Sequence, residues 1–535
     1  MLLDGRTVSD DTLIETDLCI VGAGPAGITL AHELAGNGLR ICLLESGGER
    51  QEEAIPDLND GRSVGHWYYP LADTRVRGLG GTSLHWDDNV DHDGRPYRWY
   101  TRPFDAVDFE PKKGIAHTGW PFDRPHLLPF YERAQEISQL GPFAYDDASA
   151  WEDAEHERLP LTPDRLVTGV FQYGDRTFTR FRDELATAED VTAILRSTVC
   201  ALETGAEPQT IAGVSVKTRP EGGFRVVARD YVLAAGAIEN ARLLLASNGT
   251  HASGIGNAND LVGRFFMERL SLRSGVLVPE DPVWLERMRL YEIGVARGIH
   301  VRGSLSVNEN VVRQEGLLNA AIFLVQTHKA FTSEGVRSLV VLQRALRRRP
   351  LPDQLPRHAL NIVRDLDKVA LTAYRELPGR EAGPEVVALR IHAEQSPNPQ
   401  SRVTLDHTSR DALGLPQPVL DWQVSDVDRR SIRRTQDILD EELQRAGIGR
   451  IERKLGDEHP PSLYRGAFHH MGTTRMHPDP AQGVVDADSR VHGLTNLYVT
   501  GSSVFPTPGY ANPTLTVVAL AVRLADHLKR RLGIG

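Results

Sequence analysis

The sequence predicts an α/β fold, α+β overall, in which a Rossmann-type nucleotide-binding domain is interleaved with a second domain built on an antiparallel β-sheet with helices. A strand, a glycine turn, a helix and a second strand follow one another near the start of the chain. Long β-runs separated by turns and helices occupy the region from about residue 262 to 460. Because 535 residues exceed what one hydrophobic core usually holds, we expect two intertwined domains.

The composition is that of a globular protein, with 40% hydrophobic and 25% charged residues. The net charge of −11 argues against a nucleic-acid-binding protein, which needs a basic surface. No apolar run is long enough to span a bilayer, and the acidic segment Met1–Thr16 lacks the apolar core of a secretory signal. Only three cysteines occur, without the spacing of a metal site or a disulfide framework. We therefore expect a cytoplasmic protein without a metal centre.

A dinucleotide-binding fingerprint lies directly after the first predicted strand, Asp17–Val21. In such a turn the first glycine bends the chain, the second lets a pyrophosphate approach the backbone, and the third lets the helix pack on the strand. The helix Ile28–Leu34 and the strand Arg40–Leu44 complete the unit, and Glu45 is placed to accept hydrogen bonds from ribose hydroxyls. The motif does not distinguish FAD from NAD. Its turn residues are Gly22, Gly24, Pro25, Ala26 and Gly27.

Two further segments with small residues favour a flavin. The segment Arg75–Trp86 is a glycine-rich loop inside a polar and aromatic stretch, and its backbone could lie flat against a ring. The segment Asp230–Asn240 is typical of a strand, a small-residue turn and a helix, which permits close approach of the backbone. The sequence contains no second glycine fingerprint between a strand and a helix to bind NAD(P)H, which disfavours a flavin monooxygenase.

The C-terminal region carries the residues with the most specific chemistry. His469 lies on a loop before a Gly-Thr turn, and Asn512 precedes a Pro-Thr pair that opens a long apolar helix, Thr514 to about Arg531. The free N–H groups and the positive dipole end of this helix stabilise an anion. A base, an amide and such a helix end suit the removal of a proton and a hydride from an alcohol.

These segments together resemble the glucose–methanol–choline (GMC) family of FAD oxidoreductases. The resemblance covers most of the chain in motif order and is carried by GAGPAG with Glu45, GLGGTSLHW, LAAGAIENARLLL and the run from His469 to Leu528. HHMGTTRM followed by GYANPTLT is most similar to the pyranose-oxidase and bacterial sugar-dehydrogenase branch. The resemblance implies FAD as the cofactor, His469 as the catalytic residue and Asn512 as its partner, where many relatives carry a second histidine.

The histidine in the glycine-rich loop has two interpretations. In the pyranose-oxidase branch a histidine in a similar Ser-x-His-Trp setting bonds covalently to the flavin methyl carbon, so the resemblance implies FAD attached through His85. Alternatively, this side chain only packs beside the flavin ring. The following Asp87-Asp88-Asn89 departs from the small residues of that branch and adds acidity near the site. The residues expected to contact FAD are Gly22, Gly24, Pro25, Ala26, Gly27, Glu45, Arg77, Gly80, Gly81, Thr82, Ser83, His85, Trp86, Val199, Ala235, Gly236, Gly501, Ser502, Asn512, Pro513 and Thr514.

The motif order and the strand pattern divide the chain into consecutive parts. We expect the FAD-binding domain at 1–100, 191–261 and 463–535, bridging helices and loops at 101–190, and the substrate-binding domain at 262–462. The β-runs that would form the antiparallel sheet above the flavin are Leu272–Val278, Ile299–Val307, Leu317–Gln326 and Val386–Glu394. A helix is predicted at Asp426–Ala446, with Ser425 as its N-cap and Gly447 just past its end.

An insertion at 333–375 is predicted as a helical hairpin, Ser333–Tyr374, broken at Pro350 and Pro352. The basic run Arg347–Arg349 ends its first helix. This basic run could belong to a lid, form a subunit contact or bind an acidic partner. Alternatively, its positive charges only compensate the negative dipole end at the C-terminus of the helix.

The predicted function is FAD-dependent oxidation of an alcohol group of a sugar, glycoside, cyclitol or similar polyol to the carbonyl. Neutral His469 would accept the hydroxyl proton, since an unperturbed imidazole titrates at about 6.5, while the hydride passes to flavin N5. Asn512 would hold the same oxygen. The helix that starts at Pro513 would offset the charge of the reduced flavin through its dipole and the Thr514 N–H.

Two alternatives to this function stay open. One is a GMC-fold lyase that keeps FAD and uses His469 only for acid–base work. The other is an electron-transferring flavoprotein subunit without net oxidation of a free sugar. The electron acceptor is either O2 or a quinone or haem protein, and the sequence leaves homo-oligomerisation open.

Overall fold

The computed structural model describes residues 1–49, 56–86, 88–90, 94–205, 207–328, 333–348, 355–375, 384–453 and 465–534. One large parallel sheet and one large antiparallel sheet organise these residues, and smaller sheets accompany them. The strands are β1 (Leu2–Asp4), β2 (Leu13–Glu15), β3 (Leu18–Val21), β4 (Ile41–Leu44), β5 (Arg62–Ser63), β6 (Asn89–Val90), β7 (Pro96–Tyr97), β8 (Trp99–Thr101), β9 (Leu166–Gly174), β10 (Val191–Leu195), β11 (Thr198–Thr204), β12 (Ile211–Arg219), β13 (Gly222–Val227), β14 (Asp230–Leu233), β15 (Leu270–Pro279), β16 (Gly294–Ala296), β17 (Ile299–Val307), β18 (Ala320–Thr327), β19 (Val386–Ala393), β20 (Arg402–Arg410), β21 (Pro416–Asp421), β22 (Gly449–Arg453) and β23 (Leu497–Val499). The α-helices are α1 (Pro25–Leu34), α2 (Ala106–Phe109), α3 (Arg124–Ile137), α4 (Arg182–Thr187), α5 (Ala237–Ala246), α6 (Val283–Glu286), α7 (Glu309–Glu315), α8 (Glu334–Arg348), α9 (Leu355–Arg364), α10 (Leu366–Arg375), α11 (Asp426–Arg445) and α12 (Thr514–Leu532).

The parallel sheet has the strand order β1-β10-β4-β3-β14-β23, and every neighbouring pair in it is parallel. Strands β3 and β4 are buried along their whole length, as strands covered on both faces are. Helices α1 and α12 pack against each other, and α3 packs on α12. The strands come from three separated parts of the chain, so the predicted Rossmann-type unit and its interleaving are confirmed, while the numerical domain boundaries stay a prediction.

The antiparallel sheet has the order β22-β15-β19-β18-β17-β9-β8, with β16 added beside β17. All four predicted β-runs are present as β15, β17, β18 and β19. Strand β18 starts later than expected, because the Asn319 N–H donates to the Glu394 side chain at 2.9 Å. The prediction of a second domain on an antiparallel sheet is confirmed.

One long strand of this sheet was not expected from the sequence. Strand β9 pairs with β17 and β8, although it lies in the segment 101–190 that was assigned to bridging helices and loops. Its two glycines obscure the strand pattern, and both make room for side chains. A Cβ at Gly169 would lie 2.0 Å from Arg102 Nη1, and one at Gly174 would lie 2.5 Å from Trp99 Nε1.

Helix α11 covers one face of the antiparallel sheet. Its N-terminus has the predicted cap, because the Ser425 side chain accepts from the Asp428 N–H and the two residues form a capping box. The Gln436 side chain donates to the Ser274 carbonyl on β15 at 2.9 Å. Successive side chains of a strand point to opposite faces of the sheet. Every second side chain therefore points away from α11, toward the face on which the candidate site lies.

The insertion at 333–375 contains three helices, α8, α9 and α10, so the prediction of a two-helix hairpin is wrong. The unexpected break falls at Asp365, whose carboxylate accepts the Gly335 N–H of α8 at 2.9 Å. The predicted breaks at Pro350 and Pro352 lie outside the described residues. Across the described ranges, no helix has both the length and the apolar character needed to cross a membrane.

Candidate active site

A long cleft runs along the carboxyl ends of the parallel strands. Val21 and Leu44, the last residues of β3 and β4, border it together with Ala234 after β14 and Gly501 after β23. Open parallel sheets bind nucleotides at this edge. The predicted site residues that line the cleft are Gly22, Gly24, Pro25, Ala26, Glu45, Arg77, Gly81, Thr82, Ser83, Trp86, Val199, Ala235, Gly236, His469, Gly501, Ser502, Pro513 and Thr514. Their individual roles toward FAD stay predictions.

Two predicted glycines shape the backbone rather than line the cleft. A Cβ on Gly27 would lie 1.9 Å from the Gly22 carbonyl oxygen, so only glycine lets α1 sit this close to the turn. Gly80 has a φ of 102° and donates its N–H to the Ala23 carbonyl at 2.8 Å. The glycine-rich loop is therefore bonded to the fingerprint turn.

Glu45 is buried at the end of β4. Its Oε2 accepts the Ala23 N–H at 2.9 Å, and its Oε1 accepts the N–H groups of Gly47 at 2.8 Å and Gly78 at 2.9 Å. A carboxylate offers about four lone-pair positions, so it keeps capacity for a ribose hydroxyl. Burial raises the pKa of Glu45, and these N–H donors and Arg77 oppose that rise. Glu45 thus also ties the two glycine loops together, a role that the sequence did not predict.

Three described helices begin at the cleft without a side chain that caps their first turn. Helix α1 follows Gly24, α5 follows Gly236 and α12 follows Pro513, and all three of these residues line the cleft. Free N–H groups and helix dipoles attract anions at such ends. FAD carries a pyrophosphate, and its ring becomes anionic on reduction, so these donors fit that cofactor.

A buried cluster of charges borders the cleft beside the fingerprint. The Glu239 carboxylate contacts three guanidinium groups, those of Arg75, Arg77 and Arg242. Arg242 also donates to Asp411 at 2.7 Å. Burial raises the pKa of Glu239, but the three arginines outweigh it and lower the pKa to about 2. Each guanidinium of this cluster therefore has a carboxylate partner. Among the three arginines, the sequence predicted only Arg77 as a site residue.

The loop that carries His469 is held by a buried glutamate. The Oε2 of Glu268 accepts the N–H groups of Ala467 and His469, both at 3.0 Å. The Tyr68 hydroxyl donates to the other carboxylate oxygen. Phe468 adopts a φ of 59°, a left-handed conformation that is uncommon for a residue with a side chain. These contacts fix the backbone from which the His469 ring reaches the cleft.

His469 is neutral at physiological pH. Burial lowers its pKa well below the usual value, and Arg269 and His470 lower it further. The expectation of an unperturbed imidazole that titrates at about 6.5 is therefore wrong, because a protonated ring would be poorly solvated beside a guanidinium. The shift keeps the ring in the form that can accept a proton.

Asn512 lies at the same end of the molecule, although it is absent from the cleft lining. Arg269 Nη1 donates to Asn512 Oδ1 at 2.7 Å and lies 2.8 Å from His392 Nδ1. With its carbonyl oxygen engaged, the amide nitrogen of Asn512 remains as a donor. Burial, Arg269 and Arg390 lower the pKa of His392 well below its usual value, so its neutral ring accepts the bond from Arg269.

His85 ends a single helical turn, Gly81–His85. The centre of its ring lies 6.2 Å from that of Phe468, next to the loop that carries His469. Its neighbours Ser83 and Trp86 line the cleft. The loop thus places the imidazole beside the segment that carries His469, and a covalent bond to FAD stays a prediction.

Two family models match the chain, one described as an FAD dependent oxidoreductase over residues 17–251 and one as a GMC oxidoreductase over residues 397–521. The chain therefore carries a C-terminal domain of the GMC oxidoreductases and an FAD-dependent oxidoreductase domain. It is 24% identical to the fructose dehydrogenase large subunit of Gluconobacter japonicus, over 99% of this chain and 100% of that protein. It is 26% identical to the 6'''-hydroxyparomomycin C oxidase of Streptomyces lividus, over 96% of this chain and 92% of that protein.

A solved structure shows the same fold. The formate oxidase of Aspergillus oryzae RIB40 superposes with a TM-score of 0.54 at 18% identity, over 98% of this chain and 99% of that chain. The two family matches show an FAD-dependent oxidoreductase. The fold, the uncapped helix ends and the glycine loops agree with that assignment.

Sequence reasoning missed three residues around the candidate site: Glu268, Arg269 and His392. The first two are adjacent charges inside the apolar segment Val262–Leu270, and the third is a histidine in the apolar strand β19. Charged residues within an apolar segment could have marked these three residues as site candidates, because a buried ionisable group needs a partner. The sequence did not reveal that the partners would be His469 and Asn512.

Proposed function

We propose that this enzyme oxidises an alcohol group of a sugar, glycoside, cyclitol or similar polyol to the carbonyl. The observation that carries the proposal is the position of Arg269 between the two residues: it hydrogen-bonds the Asn512 amide, and it adds to the effect of burial in lowering the pKa of the His469 imidazole. Alcohol oxidation requires two groups from the protein: a base that accepts the hydroxyl proton and a hydrogen-bond donor to the hydroxyl oxygen. FAD, when bound, supplies the acceptor for the hydride.

Asn512 and His469 have different roles toward the hydroxyl group of the substrate. Asn512 donates its amide N–H to the substrate oxygen, because Arg269 holds the amide oxygen at 2.7 Å. His469 accepts the hydroxyl proton on its neutral ring. Glu268 holds the loop in place through the His469 N–H at 3.0 Å, so the base needs little ordering when substrate binds. The uncapped start of α12 offsets negative charge in the cleft.

The relatives support a polyhydroxylated substrate. The names of the full-length matches refer to fructose, to 6'''-hydroxyparomomycin C and to paromamine, and one further relative is a 2-methyl-1,2-propanediol dehydrogenase. C-glycoside 3-oxidase of Microbacterium trichothecenolyticum is 32% identical over 34% of this chain. Because several of these compounds are sugars or sugar derivatives, we infer a sugar-like alcohol for this chain as well.

The test is anaerobic absorbance of the purified yellow protein against a panel of sugars, glycosides, cyclitols and simple alcohols. We expect one group of compounds to bleach the flavin band of the wild type and not that of His469→Ala. A lyase would convert its substrate without bleaching, and an electron-transfer subunit would be bleached by a reduced protein partner but by no alcohol. Either result would contradict alcohol oxidation.

Re-oxidation of the bleached enzyme distinguishes the two kinds of electron acceptor. We propose that the acceptor is O2 or, alternatively, a quinone or haem protein. Stopped-flow mixing of the reduced enzyme with each acceptor measures the rate of flavin re-oxidation directly.

For the cell compartment we propose the cytoplasm, because the three cysteines are free and Cys19 and Cys42 are buried. Recovery of the protein in a membrane or secreted fraction would contradict that location.

We propose that His85 is the attachment point if the flavin is covalent, since its ring lies beside the His469 loop. Acid precipitation tests this: a covalent flavin stays with the protein pellet in the wild type and is released from His85→Ala. Release of FAD from both proteins would show that His85 only packs beside the ring.

A further inference from the structure

One face of the antiparallel sheet carries a group of arginines close to the catalytic residues. In β19 the side chains of Arg390 and His392 share a face, because successive residues of a strand alternate. The residues between and before them, Ile391 and Leu389, are fully buried and lie on the opposite face of the strand. Pairing places Phe323 of β18 directly beside Arg390.

Hydrogen bonds of Arg269 link this face to Asn512. Arg269 bonds both Asn512 and His392, at 2.7 and 2.8 Å. The centre of the His392 ring lies 4.7 Å from that of Phe323, and the Arg302 guanidinium lies 4.9 Å from the same Phe323 ring. A substrate held by Asn512 would therefore extend over this part of the sheet.

Arg390 is exposed, and it differs from the arginines that lie beside the fingerprint. Within the described part of the chain its guanidinium makes no hydrogen bond and no ion pair. Partial desolvation by its neighbours lowers the pKa of Arg390, the Tyr100 and Tyr173 hydroxyls oppose this shift, and the guanidinium groups of Arg302 and Arg269 add to it. Beside the fingerprint, by contrast, Arg75, Arg77 and Arg242 are paired with Glu239 or Asp411.

Strand pairing adds a like charge to this group. Arg273 of β15 stands directly opposite Arg390 in the ladder. In a chain with a net charge of −11, such a positive face is a local feature that an anion would stabilise.

We propose that this arginine face, with Arg390 as its main contact, binds an anionic group of the substrate. The substrate would be a polyhydroxylated alcohol that carries a carboxylate or a phosphate, such as a sugar acid or a sugar phosphate. The inference rests on the proposed alcohol oxidation and narrows its substrate class. Guanidinium groups suit this task because their planar donors bind carboxylate and phosphate oxygens in pairs.

The experiment compares neutral and anionic forms of one sugar on the FAD-loaded enzyme. D-Glucose, D-glucuronate and D-glucose 6-phosphate are titrated anaerobically, and both the perturbation of the flavin spectrum on binding and its bleaching are recorded. We expect one of the two anions to bind at an at least tenfold lower concentration than glucose. The carboxylate and phosphate arms separate the two kinds of substrate.

Arg390→Gln should raise the half-saturating concentration of the anion about 10- to 100-fold, the usual loss for one charge-assisted hydrogen bond, and leave glucose unchanged. Arg390→Lys keeps the charge and should recover part of the loss. The matched control is Arg450→Gln, an exposed arginine on the edge strand β22 of the same sheet, which should behave as the wild type. Melting curves confirm that all variants are folded.

The outcomes distinguish this inference from the proposed function. If glucose binds as tightly as both anions, or if Arg390→Gln binds the anion as the wild type does, the anion site is overturned while alcohol oxidation stands. If the anion binds through Arg390 but no compound of the wider alcohol panel bleaches the flavin, the anion site stands and alcohol oxidation is wrong.

Discussion

The two large sheets of this FAD-dependent oxidoreductase build their halves of the site from different kinds of contact. The parallel sheet presents mainly backbone: glycine turns at Gly22 and Gly24, three uncapped helix ends, and arginines paired with Glu239 or Asp411. The antiparallel sheet presents side chains, and one of them, Arg390, has no ion pair within the described residues. The arginines of the cofactor half are therefore paired within the protein, whereas we propose that an anionic group of the substrate pairs with Arg390 in the substrate half.

The largest effect is expected where the two halves meet. His469→Ala removes the base and should slow anaerobic flavin reduction by about 10²- to 10⁴-fold while FAD stays bound. His477→Ala is the matched control in the same segment, because its ring contacts the Asp479 N–H at 3.0 Å instead of the cleft. An equal loss in both variants, or a loss of bound FAD in His469→Ala alone, would mean that His469 is structural.

A smaller loss of rate is expected from the residue that positions this base. Glu268→Ala leaves the N–H groups of Ala467 and His469 without their acceptor and should lower kcat about 10- to 100-fold. Glu268→Gln retains an oxygen for both donors and should recover most of kcat. Steady-state kinetics and melting temperatures of the two variants separate positioning from folding, because a purely structural role would lower the melting temperature without changing kcat of the folded enzyme.

A substitution in the cofactor half should change the stability and the FAD content of the protein through packing, rather than the rate of the reaction. Gly27→Ala places a Cβ 1.9 Å from the Gly22 carbonyl oxygen, so it should cost about 1–3 kcal/mol of unfolding free energy and reduce the FAD content. Gly36→Ala is the control, since no atom lies within 4 Å of its Cβ position; its φ of 75° costs only about 1 kcal/mol. Urea unfolding and the ratio of flavin to protein absorbance measure both effects. Equal stability of the two variants would contradict the packing role of Gly27.

The smallest effect is a dependence of stability on pH at the boundary of the two halves. Burial, with a contribution from Arg75, lowers the pKa of His470 to about 3. In the unfolded chain this imidazole takes up a proton near pH 6.5, so stability is full above that pH and falls as the pH decreases toward 3. The slope from this one group is about 1.4 kcal/mol per pH unit. Urea unfolding at pH 7.5 and pH 5.5 should show a smaller difference in His470→Gln than in the wild type; an unchanged difference would contradict the assignment.

The cofactor half could be predicted from the sequence because its determinants are local. The fingerprint turn, Glu45 and the helix after Pro513 each lie within a short stretch of chain, and spacing alone places them. The function of Gly27 in packing the helix on the strand was also predictable, since it follows from the motif.

The substrate half could be predicted only in outline. Its strands were recognisable, but β9 was hidden by Gly169 and Gly174, which accommodate side chains of Arg102 and Trp99. Arg269 and His392 meet through strand register across a long separation in sequence, and no local pattern contains that information. The low pKa of His469 likewise depends on burial and on neighbours that come from other segments.

The measurement that tests the central claim most directly is the structure of the enzyme with reduced FAD and the substrate identified by flavin bleaching. The account predicts that the reacting hydroxyl lies within hydrogen-bond distance of both a ring nitrogen of His469 and the amide nitrogen of Asn512. It also predicts that the rest of the substrate extends toward Arg390. A hydroxyl bound away from His469 and Asn512 would contradict the assignment of these residues as the pair that acts on the alcohol.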